Sequence, residues 1–148
     1  MIERADPAWI RNLVENTQYL VLATTDGDSP WVAPVEPIVD EDLNFYYLST
    51  SDALHSRHIE AGGNVAAVMF ANEQPEYTPT LSANLNAVQM ECTGKRLHPS
   101  EYNEAVQGAI DFIQPPMPPY EVYKLEPERF YVPAIENGVN TRYEVEMD

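Results

Sequence analysis

Basic residues are scarce in this sequence. Its 148 residues include 8 Lys and Arg against 24 Asp and Glu, and the formal net charge is -16. A nucleic-acid-binding surface needs a basic patch to displace the counterions of the phosphate backbone, so we expect no nucleic-acid partner. The acids are spread along the chain and repel one another at low ionic strength, whereas concentrated salt screens that repulsion. The composition is therefore typical of a protein from a salt-loving organism.

Cysteine, histidine and long apolar runs are scarce as well. The single Cys92 cannot form an internal disulfide, which favours a reducing, cytoplasmic setting. No apolar run approaches the ~20 residues that span a bilayer, and the N-terminal segment lacks a signal-peptide core, so we expect no membrane association. No Cys/His set has zinc-like spacing. His55 and His58 are close enough to share a metal, but no third ligand is evident, and we predict no metal site.

The length and a hydrophobic content of 44% predict one domain over residues 1–148. Apolar runs bounded by turn residues predict strands over 19–25, 31–40, 45–49, 64–71, 86–98 and 121–132, and 138–147 can add another. The first three read as an antiparallel meander. Pro34 and Pro37 place the second strand at an edge or bulge, and Pro127 interrupts the sixth.

Capping residues and helical periodicity predict the helices. Asp6 and Pro7 begin the first, which ends near position 16. Ser51 or Asp52 caps the second, which Gly62 and Gly63 end, and Ser100 caps the third. Residues 72–85 read as a loop, and the proline-rich run 114–120 ends the third helix. The sum is a mainly β (α+β) fold, a six-stranded antiparallel barrel with two or three flanking helices.

A candidate anion site lies in the stretch "STSDALHSRH", residues 49–58. Hydroxyl residues end a predicted strand immediately before a predicted helix, whose free N–H groups suit a phosphate. Arg57 offers a fork of donors to phosphate oxygens, and His55 offers another donor. Asp52 would repel a phosphate if it faced inward. The alternative interpretation is that Ser51 only caps the helix and Arg57 pairs with a surface acid.

The order of elements resembles a known family. The run "YLVLATTDGDSPWVAPVEPIVDEDLNFYYLSTSDALHSRHIEAGGNVAAVMF", with the later "VQMECTGKRL" and "VYKLEPERFYV", resembles the FMN-binding split-barrel superfamily, the pyridoxamine 5′-phosphate oxidase-like proteins. The resemblance covers about residues 8 to 133, and it is a match of pattern rather than of one diagnostic motif. It implies a split barrel, a homodimer with FMN sites at the interface, and the FMN phosphate at the strand-to-helix turn.

The resemblance also implies a set of cofactor-binding residues. The strand beside the flavin ring corresponds to 33–35, the strand end that lines the flavin to 48–50, and His55 stands where the family usually has a phosphate-binding lysine. Gln89 matches a glutamine that reaches the cofactor, and Arg57 lies near the phosphate. The implied set is Ala33, Pro34, Val35, Leu48, Ser49, Thr50, His55, Arg57 and Gln89.

Two departures from the family pattern limit the functional expectation. A histidine at the lysine position is only partly charged near neutral pH. The C-terminal Arg-x-His signature of the true oxidases is absent from "GVNTRYEVEMD", so we do not expect vitamin B6 synthesis. The resemblance favours an FMN-dependent oxidoreductase acting on a small-molecule redox substrate, with no catalytic side chain assigned. The alternatives are a non-catalytic flavin binder, or a split barrel that binds deazaflavin or haem or has lost its cofactor.

Overall fold

The computed structural model describes residues 6–71, 86–113 and 119–147. Within them are three α-helices, α1 (Pro7–Glu15), α2 (Leu54–Gly62) and α3 (Glu104–Phe112), with a 3-10 turn at Pro99–Glu101. The strands are β1 (Leu20–Thr25), β2 (Pro30–Val35), β3 (Ile38–Val39), β4 (Phe45–Ser49), β5 (Asn64–Phe70), β6 (Ala87–Arg96), β7 (Glu121–Glu136) and β8 (Val139–Val145). The loop predicted over 72–85 and most of the proline-rich run fall outside the described residues.

The strands form one antiparallel sheet in the order β2-β1-β5-β6-β7-β4-β3, and β8 also pairs with β7. The predicted fold class, mainly β with flanking helices, is confirmed. The described residues contain eight strands rather than six. The segment over 31–40 divides into β2 and β3 at positions 36–37, where Pro37 lacks the N–H that a continuing strand needs. Pro34 remains within β2, which lies at an edge of the sheet. The two pieces end at opposite edges of the sheet.

Both hairpins of the predicted meander are present, since β2 pairs with β1 and β4 pairs with β3, which belongs to the predicted second strand. The three segments do not form one continuous meander, because β2 and β3 lie at opposite edges of the sheet and β4 also pairs with the distant β7. The long β7 joins both parts of the fold, since its first half pairs with β4 and its second half with β8. Pro127 does not interrupt β7, because the register with β6 shifts between Glu91 and Cys92 and absorbs the missing donor as an irregularity.

The core lies between the inner face of the sheet and helices α1 and α2. Alternation along β6 buries Val88, Met90 and Cys92 and exposes Gln89 and Glu91, as the sequence predicts. A second, smaller cluster packs under α3 and joins Tyr46, Leu97, Val106 and Val122. This division places β4 at the boundary of two apolar clusters, with successive side chains turned to opposite sides.

Close backbone contact fixes the C-terminal end of α2. Gly63 ends the helix in the left-handed region at φ 76, as the sequence predicts. Its carbonyl accepts a hydrogen bond of 2.6 Å from the N–H of Gly94 on β6. A Cβ at Gly94 would stand 2.9 Å from a Leu125 side-chain carbon, with Ile59 and Val65 also in contact. The absence of side chains lets α2 approach the sheet here.

Two predicted caps are wrong, and local hydrogen bonding explains both. α1 begins as predicted, with the Asp6 side chain accepting from the N–H of Ala8. α3 begins later than predicted, because Asn103 rather than Ser100 caps it by accepting from the N–H of Val106. The residues around Ser100 form the 3-10 turn instead, which the His98 side chain caps. The other wrong cap, that of α2, belongs to the candidate site.

Candidate functional site

A tight turn joins the end of β4 to α2. The N–H of Ala53 donates to the carbonyl of Thr50 at 3.2 Å, so Ser51 and Asp52 occupy the middle of the turn and are exposed. Neither residue caps the helix. The N-cap position is Ala53, and within 6–71, 86–113 and 119–147 no side-chain cap hydrogen bond is formed at this helix start. The start of α2 therefore keeps N–H donors that an anion could accept from.

Ser49 and His55 meet at this uncapped helix start. The Ser49 hydroxyl and His55 Nε2 are 3.1 Å apart, and both residues are half-buried. Tyr47, two residues before Ser49 on the same side of β4, places its ring centroid 6.1 Å from that of His55. We call Ser49, Thr50, His55 and the first turn of α2 the cradle.

The electrostatics of the cradle are weaker than a lysine would supply. Burial, and to a smaller degree the charge of nearby His58, lowers the pKa of His55 below its usual value. The imidazole is therefore neutral at physiological pH, and only one of its nitrogens then donates. Two acids lie nearby, since Asp52 is in the turn and Glu121 is the cross-strand partner of Ser49. The donors fit a phosphate group, but the site has little positive charge of its own.

A buried hydrogen bond ties α2 to β1. His58 Nδ1 and the Thr24 hydroxyl are 2.9 Å apart, and both side chains are buried. This pair fixes the angle at which α2 leaves the turn, and so it positions the cradle. Sequence reasoning singled out His58 only as a weak metal candidate and gave Thr24 no role in a site. The only sequence signal for Thr24 was a polar residue at an inward position of an apolar strand.

Arg57 lies two residues from His55 on the exposed side of α2. Residues two apart on a helix do not share a face, so Arg57 points away from His55. Among the described residues, no carboxylate ion pair is formed by this side chain. The structure thus does not bring Arg57 into the cradle of its own chain.

The remaining predicted residues separate into two faces of the sheet. Ala33 and Val35 turn toward the core, and Leu48 packs in the small cluster under α3. Pro34 and Gln89 are exposed on the opposite, outer side of the sheet. The predicted set therefore does not form one continuous surface within a single chain.

The outer face of the sheet is apolar at its centre. We call this side of β2, β1, β5 and β6 the outer face. Its apolar centre consists of Val21, Val32, Ala66, Val68 and Phe70, and it also includes Pro34 and Gln89. In register, Pro34 lies beside Val21, Val21 beside Val68, and Val68 beside Gln89, which makes a row across four strands. Val32 is 61% exposed and Phe70 58%. A shallow cavity of about 360 Å³ opens here, and its polar lining consists of Gln89, Glu91, Tyr131 and Arg142.

The described part of the chain contains neither a metal site nor a membrane-spanning helix. Across 6–71, 86–113 and 119–147, no three His, Cys, Asp or Glu side chains are grouped as a metal site would require. No helix in these ranges has both the length and the apolar character needed to cross a bilayer.

One protein-family model matches most of the sequence. The pyridoxamine 5′-phosphate oxidase family model matches residues 7–132, which include both the cradle and the outer face. The chain belongs to this family. No curated protein matches the sequence.

Solved structures with the same fold carry different names. HutZ, the heme storage protein from Vibrio cholerae, superposes with a TM-score of 0.65 at 18% identity, over 87% of this chain and 94% of that chain. A heme binding protein from Mycobacterium smegmatis gives 0.65 at 18% identity, over 97% of this chain and 58% of that chain. General Stress Protein 26 from Bacillus anthracis gives 0.58 at 18% identity, over 84% and 91%. At such identities the likeness shows the fold alone.

Proposed function

We propose that this chain binds FMN and acts as a flavin-dependent oxidoreductase on a small-molecule redox substrate. The observation that carries the proposal is the cradle, where Ser49 and His55 are 3.1 Å apart at a helix start that no side chain caps. Helix N-termini with free N–H groups and adjacent hydroxyls are well suited to phosphate oxygens. Membership of the pyridoxamine 5′-phosphate oxidase family supports the choice of a flavin phosphate over another anion.

Different groups of the cradle would donate hydrogen bonds to a bound phosphate. Thr50 would donate through its hydroxyl and the first turn of α2 through its N–H groups. In the tautomer that protonates Nε2, His55 would donate to the Ser49 oxygen, and the Ser49 hydroxyl would then donate to the phosphate. Bound FMN would supply the redox chemistry, and the chain would bind it, orient it and exclude water. The neutral state of His55 limits the affinity at neutral pH, because a charge-assisted bond is about twice as strong as a neutral one.

We propose that the working form is a homodimer whose interface includes the outer face. This face exposes apolar side chains at the centre of the sheet, where a monomer usually has polar residues. Glu91 and Arg142 both line the cavity beside the apolar residues, so charges of opposite sign border the centre that a second copy would meet. Gln89 and Pro34 lie on this face, away from the cradle, and would approach a flavin held across the interface.

Light scattering in molar salt tests the dimer. We expect twice the chain mass of 16.7 kDa, and we expect Val32→Glu to give the monomer, because it places a charge at the apolar centre. Val139→Glu is the matched control, since Val139 is 64% exposed on β8 outside this face. A wild-type monomer at micromolar concentration, or loss of the dimer in both variants alike, would contradict the assignment of the interface.

A second candidate, haem binding, is favoured by a specific pair of observations. Two of the structures that share this fold are a heme storage protein and a heme binding protein. The lowered pKa of His55 keeps its imidazole neutral, which is the form that ligates iron. Deazaflavin binding, flavin binding without catalysis and loss of the cofactor would each be compatible with the same fold.

The absorbance spectrum of the purified protein separates these functions. We expect flavin bands, either as isolated or after addition of FMN, and oxidation of NAD(P)H by the yellow protein would distinguish a catalyst from a carrier. A Soret band after addition of haem, with no response to FMN, would favour the second candidate. A spectrum that changes with neither FMN nor haem would indicate a split barrel that has lost its cofactor.

A further inference from the structure

Three hydroxyl groups inside the protein have no hydrogen-bond partner among the described residues, those of Tyr47, Ser56 and Tyr123. The three residues are buried, with relative exposures of 1%, 0% and 0%. A buried hydroxyl that loses its water without gaining a partner destabilises the folded state, and native proteins contain few such groups. Three of them in one place require a physical explanation.

The three hydroxyls are neighbours. Tyr47 on β4 and Tyr123 on β7 are cross-strand partners, and their rings stack at 5.6 Å with an interplanar angle of 19°. Ser56, on the buried side of α2, lies near Tyr123, and its hydroxyl lowers the pKa of that phenol without reaching hydrogen-bond geometry. Burial nevertheless raises the pKa of both tyrosines, so that their hydroxyls stay protonated.

We propose that this cluster binds one ordered water molecule at the junction of α2, β4 and β7. A hydroxyl can both donate and accept, and a buried water typically makes about three hydrogen bonds, so one water can serve all three groups. The three side chains of the cluster are uncharged, which suits a neutral occupant. An apolar occupant would leave the hydroxyls unpaired.

The position of this water gives it a role in the architecture of the cradle. Ser56 immediately follows His55 on α2, and the Tyr47 ring contacts the His55 ring. The water would thus link α2 to β4 on the inner side of the residues that form the cradle. The inference does not depend on FMN binding, because it concerns groups that the cofactor would not reach.

Hydroxyl-deletion variants test the water through the sign of the stability change. If the water is present, Tyr47→Phe and Tyr123→Phe each lower the melting temperature by about 2–4 °C, and the double variant loses less than the sum because both hydroxyls share one water. If the hydroxyls are unpartnered, each substitution removes a buried polar group, and the melting temperature stays or rises. Tyr46→Phe, which removes a 3.0 Å bond to Asp40, provides the scale.

A crystal structure of the wild-type chain provides the direct observation. We expect electron density for one water within hydrogen-bonding distance of the three oxygens. A dry cluster in that structure would overturn the proposal even if the Phe variants were less stable. An unchanged or raised melting temperature in both single variants would overturn it as well.

Discussion

At the scale of single residues, the charge of His55 determines how strongly the cradle can hold a phosphate. Its Nε2 lies 3.1 Å from the Ser49 hydroxyl, and burial lowers the pKa of the imidazole, so the charged form is rare at neutral pH. Binding of a phosphate dianion favours the charged form. The affinity for FMN should therefore rise as the pH falls through the pKa of His55, and it should be lowest above the usual histidine value of about 6.5.

We expect His55→Lys to bind FMN about tenfold more tightly than wild type at neutral pH. A lysine ammonium replaces a neutral donor with a charge-assisted one, which adds about 1–1.5 kcal/mol. The advantage should shrink as the pH is lowered through the depressed pKa of His55, because His55 then acquires its own charge. Fluorescence titration with FMN at several pH values measures both effects, and the protonation of the phosphate itself affects both proteins equally.

Arg57→Ala is the matched control for this substitution. It removes a cation two residues away on the exposed side of the same helix. We expect only a small, salt-sensitive loss of affinity, because exposed charges are screened. A loss of one to two decades would instead show a direct bond of about 1.5–3 kcal/mol to the phosphate, and it would place Arg57 in the site.

The sequence allowed part of this site to be predicted. Ser49 and His55 come together through a local turn, and local spacing is visible in a sequence. The contact between Thr24 and His58 spans 34 positions and depends on how α2 folds back over β1. The stacking of Tyr47 on Tyr123 likewise depends on a strand pairing between distant segments, so neither contact could be derived from residue spacing.

At the scale of elements, α2 is the part of the fold that positions the cradle, and it is fixed at its middle and at its C-terminal end. The bond between Thr24 and His58 holds its middle to β1, and the contact between Gly63 and Gly94 holds its C-terminal end to β6. These are long-range contacts of a short helix whose own N-terminus has no side-chain cap. Loss of either contact should loosen the cradle together with the helix.

We expect Thr24→Val to destabilise the protein by about 1–3 kcal/mol. The substitution leaves His58 Nδ1 buried without a partner, and that desolvation is then uncompensated. Urea unfolding followed by circular dichroism measures the loss. Thr93→Val is the control, because Thr93 is exposed on β6, and it should change the stability by no more than about 0.5 kcal/mol. Equal losses of stability in the two variants would show that the buried hydrogen bond between Thr24 and His58 does not stabilise the fold.

We expect Gly94→Ala to be destabilising by about 1–3 kcal/mol, through overpacking against Leu125 and Ile59. Gly62→Ala, in the last turn of α2, has no atom within 4 Å of the new Cβ and should be neutral or slightly stabilising. Thermal unfolding of the two variants compares them directly. If Gly94→Ala were as stable as Gly62→Ala, the close approach of α2 to β6 would not be a constraint.

The element boundaries show what sequence patterns can and cannot determine. The described strands lie within or close to the predicted apolar segments, because alternation depends only on which side of the chain is buried. The pattern nevertheless merged β2 with β3 and ended the sixth strand at 132, before the end of β7 at Glu136. The pairing of β4 with β7 was missed, since the pattern does not state which strands are adjacent. The start of α2 was misplaced because Ser51 and Asp52 are good caps and equally good turn residues, and the choice between them is made by one backbone bond, from Ala53 to Thr50.

At the scale of the whole molecule, net charge dominates the conditions under which the fold is stable. The formal charge is -16, and the described ion pairs have at least one partner whose side chain is a third or more exposed. Exposed pairs contribute about 0–1 kcal/mol each and cannot offset the repulsion among the remaining acids. The Debye length is about 10 Å at 0.1 M salt and about 3 Å at 1 M, so added salt removes most of that repulsion.

We expect the melting temperature to rise between about 0.1 M and about 2 M KCl for this reason. The same measurement in sucrose is the control, because an excluded osmolyte stabilises the folded state without screening charge. A melting temperature that does not change with KCl would contradict the interpretation that the protein is adapted to high salt.

The central claim is that the cradle recognises the phosphate of FMN, and a comparison of FMN with riboflavin tests it most directly. The two ligands share the same ring system, and only FMN carries the phosphate. Titration of the wild-type protein in molar salt, followed by flavin fluorescence, should give an affinity for FMN at least tenfold above that for riboflavin, and Ser49→Ala should reduce that ratio. Equal affinities for the two ligands, or no binding of either, would contradict the claim.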